Sequence, residues 1–70
     1  MEQEWKKVYS TDKEYKSLIL REKLAEANIE SNQIQKKGSG IEPFFGFIDI
    51  YVLEKDFDKA QEIITKHSDL

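Results

Sequence analysis

Phe47-Ile48-Asp49-Ile50-Tyr51-Val52-Leu53 is the longest apolar, β-branched and aromatic run in the 70-residue sequence, and it reads as a β-strand. Side chains alternate across a strand, so Ile48, Ile50 and Val52 share one face while Phe47, Asp49, Tyr51 and Leu53 share the other. Both faces are largely apolar. A strand of this kind belongs in the middle of a sheet, with helices on one face and a second covering on the other.

Upstream of it, Trp5-Lys6-Lys7-Val8-Tyr9 alternates weakly and is assigned as the first strand, with Trp5, Lys7 and Tyr9 on one face and Lys6 and Val8 on the other. Ser10-Thr11-Asp12 then offers three N-cap residues whose oxygens can accept from the first turn of a helix. Lys13 to Ala27 contains no Gly or Pro and is rich in good helix formers. At helical spacing Ser17, Leu20, Leu24 and Ala27 form the stripe expected to face the sheet, while Tyr15 and Ile19 fall on the opposite side with Leu18 between. Asn28 suits the left-handed conformation at a helix C-terminus.

Ile29 to Lys37 is polar and only patchily apolar, as an edge strand tends to be, and is assigned as the second strand. The connection Gly38 to Gly46 is too long for a tight hairpin and too apolar for an idle loop. After the central strand, Asp56 is placed to cap a helix in which Phe57, Ala60, Ile63 and Ile64 recur at helical spacing, and the tail from His67 is expected to fray. The order β-α-β-β-α, with a right-handed crossover and a hairpin of strands two and three, predicts an α+β, ferredoxin-like split β-α-β fold. Its sheet is three-stranded in the order 1-3-2 with both helices on one face. Residues 1–70 form one domain, and no residues remain for the fourth strand that such folds normally place beside strand one.

Composition narrows the function classes. Fourteen acidic residues against eleven basic ones give a net charge of −3, which disfavours polyanions such as nucleic acid. The acidic start Met1-Glu2-Gln3-Glu4 is followed by no apolar run of signal-peptide length, and nothing approaches the roughly 20 apolar residues that span a bilayer. With no cysteine, the chain suits a reducing, cytoplasmic setting. His67 is the only histidine, near the C-terminus, a poor seat for a general base. Glu54, Asp56 and Asp58 read as carboxylates of a helix start rather than a metal cluster. No catalytic residue, metal or cofactor is therefore expected.

The informative constellation is aromatic. If Val8, Ile48, Ile50 and Val52 point at the helices, then Trp5, Tyr9, Phe47 and Tyr51 line the opposite face around Asp49, a larger apolar patch than water tolerates well. Three arrangements remain open: another protein surface covers the rings, the segment Ile41 to Phe45 folds over them, or Trp5 and Tyr9 turn inward with Val8 outside. A second candidate contact is the connection itself, Lys36, Lys37, Gly38, Ser39, Gly40, Pro43, Phe44 and Phe45. Its Lys36-Lys37-Gly38-Ser39-Gly40 part loosely resembles a phosphate-cradling turn but has neither the P-loop spacing nor a helix directly after it. Phe45-Gly46-Phe47-Ile48 resembles the middle of the aromatic octapeptide of RNA-recognition domains, with Pro43, Phe44 and Ile50 departing from that pattern.

Val8-Tyr9-Ser10-Thr11-Asp12, Leu24-x-x-Ala27-Asn28-Ile29, Pro43-Phe44-Phe45-Gly46, Ile48-Asp49-Ile50-Tyr51-Val52 and Glu54-Lys55-Asp56-Phe57-Asp58-Lys59-Ala60 together resemble a short prokaryotic family of putative signal-transducing proteins with a PII-like variant of the ferredoxin-like fold. Asn28 stands where the family has glycine, and Ser17 where it tends to have alanine. The resemblance implies a regulatory module that assembles through its sheet, as a dimer or trimer or with a partner protein. It also implies that the stretch from Lys36 to Gly46, shorter than a PII signalling loop, faces partners or nucleotides. The expected function is thus a non-enzymatic interaction module. Single-stranded RNA binding, or ligand sensing at that loop, are its alternatives.

Overall fold

The computed structural model describes residues 4–36 and 46–68. Along the chain these form β1 (Trp5–Thr11), α1 (Glu14–Glu26), β2 (Ser31–Lys36), β3 (Phe47–Leu53), a short 3-10 turn (Glu54–Asp56) and α2 (Phe57–His67). The strands make one sheet in the order β1-β3-β2, antiparallel at both junctions. This is the α+β ferredoxin-like arrangement expected from the sequence. β3 is central for the reason its composition gave: a strand apolar on both faces gains most from neighbours on both sides.

Leu20 and Leu24 of α1, Ala60 and Ile64 of α2, Ile50 and Val52 of β3, and Ile29 form a single buried cluster. Because Ile50 and Val52 alternate with Tyr51, they fix one face of the sheet as the core side, and both helices pack there. Each such aliphatic side chain contributes about 1.5–3 kcal/mol on leaving water. On α1, Ser17, Leu20 and Leu24 are buried as the spacing predicts, Ile19 is half-buried, and Tyr15 and Leu18 are exposed.

The helix starts differ from expectation. β1 continues through Thr11, so none of Ser10, Thr11 and Asp12 caps α1. Lys13 occupies the cap position without a side-chain bond, and the buried Thr11 instead accepts the Lys13 N–H at 3.1 Å. Asp56 does sit at the cap position of α2, yet its carboxylate makes no capping bond, because the 3-10 turn already leads the chain into the helix.

The end of α1 behaves as its sequence suggests. Asn28 has φ 62°, its N–H donates to the Ala25 carbonyl at 2.9 Å, and the Ile29 N–H donates to that of Leu24 at 2.9 Å. This double bond pattern, with Ile29 and Leu24 both in the core, is a Schellman closure. Ile29 is thereby a core residue and not the start of β2, which begins at Ser31. His67 is the last residue of α2 rather than part of a frayed tail, and Lys16 Nζ donates to the Ser68 carbonyl at 3.3 Å beyond it.

Candidate interaction face

The face of the sheet away from the helices is set by register. On β1, Trp5 stands opposite Leu53, Lys6 opposite Val52 and Lys7 opposite Tyr51; the next pair is Tyr9 with Ile50, so Val8 is an extra residue. Residues directly opposite one another share a face, so this β-bulge carries Tyr9 across to the core side. Tyr9 and Val8 are both half-buried and both pack against the core cluster. The alternation read from sequence had kept Trp5 and Tyr9 together. The bulge separates them: Trp5 stays out while Val8 and Tyr9 both turn in, so of the three arrangements the one with Trp5 and Tyr9 inside and Val8 outside is corrected, and the segment Ile41 to Phe45 lies outside the described residues.

Trp5, Phe47 and Tyr51 therefore remain on the open face. Phe47 is 54% exposed and Trp5 38%, large values for rings, while Tyr51 is half-buried between Lys7 and Asn32. Leu53 lies opposite Trp5, and Ile34 of β2, opposite Asp49, is 47% exposed. Ile34 was missed in the sequence. The signal available was that it is the only large apolar residue in Ser31 to Lys36, and pairing places it beside Asp49.

Asp49 sits at the middle of this face and is only 3% exposed. An ionised carboxylate buried to this extent needs donors. Ser10 supplies one: its Oγ donates to Asp49 Oδ1 at 2.7 Å from the opposing position on β1. Among the described residues no buried side-chain nitrogen or oxygen lacks a partner. Asp49 thus joins β1 to β3 on the side where apolar residues are most exposed.

On the core side β2 is held in a way the sequence reading did not foresee. Its core-facing positions are Ser31, Gln33 and Gln35, by register with Val52, Ile50 and Ile48. Arg21 of α1 reaches them: Nε donates to Ser31 Oγ at 3.3 Å, Nη2 to the Ser31 carbonyl at 3.4 Å and Nη1 to Gln33 Oε1 at 3.4 Å. Ser17 Oγ donates to the Glu14 carbonyl at 2.8 Å and approaches Gln33 Oε1 at 3.5 Å. Ser17 and Arg21 are four residues apart, on one helix face, which is the spacing that could have revealed the clamp.

Of the second candidate contact, Lys37, Gly38, Ser39, Gly40, Pro43, Phe44 and Phe45 lie outside the described residues, and Lys36 is described only as the last position of β2. Glu54 makes an exposed ion pair with Lys6 at 3.3 Å, which contributes little in water. Among the described residues no group of acidic, histidine or cysteine side chains is arranged to hold a metal ion, and no helix is long and apolar enough to cross a membrane. Among the described residues one surface depression lies along α2 at Asp58, Gln61 and Thr65 and another between the ends of the two helices at Lys23, Ala27 and Ile63.

A family model described as "Putative prokaryotic signal transducing protein" matches residues 5–68. No curated protein and no solved structure matches the chain.

Proposed function

The chain belongs to this family of prokaryotic signal transducing proteins, and from that membership we propose that it is a small, non-enzymatic regulatory module that associates with a second copy through the open face of its sheet. The observation that carries the reading is the set Trp5, Phe47 and Tyr51, widened by Ile34, gathered on a face against which no helix packs among the described residues. Aromatic rings supply most of the energy at protein interfaces. Asp49 and Ser10 bind each other, so the carboxylate at the centre of the patch arrives already solvated by the protein. The net charge of −3 leaves stacked RNA without backbone neutralisation and favours a protein surface over a polyanion. A cysteine-free chain with this role fits the cytoplasm.

The test is the mass in solution by light scattering after size exclusion, at two concentrations, for the native chain and for Tyr51→Ser. Removing the ring at the centre of the face lowers both the mass and the melting temperature. Burial at ~25 cal/mol per Å² makes each ring matter to a fold of this size. Unchanged mass and unchanged melting together overturn the proposal. Quenching of Trp5 fluorescence by an oligonucleotide, lost at high salt, moves the face to RNA.

A further inference from the structure

The outer strands β1 and β2 differ in how their unpaired edges are treated. β1 is interrupted by the bulge at Val8, and exposed Lys6 and Lys7 stand beside it. Bulges and edge lysines are two devices that stop a strand from recruiting another. β2 has neither. Its register with β3 runs unbroken from Ser31 to Lys36, and Ser31-Asn32-Gln33-Ile34-Gln35 contains no charge, proline or glycine. Among the described residues no strand lies on its outer side.

We propose that the outer edge of β2 pairs antiparallel with the β2 edge of a second copy, about a two-fold axis perpendicular to the sheet, giving one continuous six-stranded sheet. Such an axis keeps the helices of both copies on one side and brings residues of the same face opposite one another. Charge chooses the register. Centred on Gln33, the pairing sets exposed Glu30, just before β2, opposite position 36 of the second copy, a lysine, and does so at both ends. Centred on Ile34, it sets the lysine opposite Asn32 and the glutamate gains nothing. Opposite charges across a strand pair are favourable, and a second copy supplies both complements at once. Between them Gln33 meets Gln33 of the second copy, Asn32 meets Ile34 and Gln35 meets Ser31, so no like charges oppose one another. This pairing does not depend on what covers the aromatic face.

The chain contains no cysteine, so introduced thiols report contact without background. Asn32→Cys and Ile34→Cys chains, one of them tagged, are mixed and oxidised. The register centred on Gln33 places these positions directly opposite, within disulfide reach. The mixed 32–34 disulfide then exceeds like-with-like products and Lys7→Cys products by about tenfold, as a pre-formed pair exceeds random encounter. The native chain gives an independent readout by amide hydrogen exchange. When the concentration is raised to about ten times the dimer dissociation constant, alternate amides of β2 slow by about fivefold, while those of β1 do not change. Equal cross-linking in every combination, a preference for β1, or β2 exchange that ignores concentration overturns the proposal. Tyr51→Ser leaves the concentration dependence of β2 protection in place while lowering the mass from a larger assembly to a dimer, so the edge and face readings succeed or fail separately.

Discussion

Tyr9 of β1 and Gln33 of β2 flank the same residue, Ile50, on the core side of the sheet. From β1 comes an aromatic ring packed on the apolar cluster; from β2 comes an amide whose Oε1 receives Arg21 and Ser17. On the core side one outer strand is held by apolar contact and the other by side-chain hydrogen bonds. Contact is nearly indifferent to direction, so β1 stays attached although a residue is inserted at Val8. Hydrogen bonds need geometry, and β2 keeps a straight register under its Arg21 clamp. The difference teaches that the strand with the less apolar attachment is the one left regular enough to recruit a partner.

The largest effect is expected where the two attachments meet. Ile50→Ala removes the residue shared by both outer strands and leaves a cavity among Leu20, Leu24 and Ile64, at a cost of about 2–5 kcal/mol. The urea midpoint falls steeply, and β1 and β2 lose amide protection together. A change confined to one strand would show that the core does not couple them. Arg21→Met is smaller and selective. It deletes three long hydrogen bonds to Ser31 and Gln33 and keeps much of the side-chain volume, at a cost of about 1–3 kcal/mol, nearer the lower figure because all three exceed 3.2 Å. Amide exchange accelerates in β2 before β1. Equal loss in both strands would erase the distinction between contact and clamp.

Most of the architecture was legible from pattern. The two-sided apolar run placed β3 in the centre, the Ser17-Leu20-Leu24 stripe oriented α1, and Asn28 marked its end. What pattern could not carry was anything requiring one extra residue or a competing hydrogen bond. A bulge leaves no mark in an alternation as weak as Trp5 to Tyr9, and the face of Tyr9 followed from pairing with Ile50 rather than from its own neighbours. Ser10 and Thr11 look like caps, but each found a better partner, Asp49 for one and the Lys13 amide for the other. Of the open sheet face, the placement of Trp5, Phe47, Asp49 and Tyr51 was readable because β3 fixes three of them. Ile34 needed the register of β2, which a polar strand does not announce.

The bulge itself provides the smallest and sharpest test. Deleting Val8 leaves Lys7 opposite Tyr51 and makes Tyr9 opposite Ile50 its direct successor, so every remaining side chain of β1 keeps its face. What is lost is one half-buried valine, about 1 kcal/mol or less, a shift of a few degrees in melting for a chain of this length. What changes is the edge, which becomes as regular as that of β2. If the bulge is what protects it, a Lys7→Cys probe that cross-links poorly in the native background cross-links several-fold better in the deletion, and association through β1 appears alongside that through β2. If cross-linking at Lys7 does not rise, the lysines alone guard the edge. In that case a straight register is not what separates the two outer strands, and the contrast between them reduces to charge.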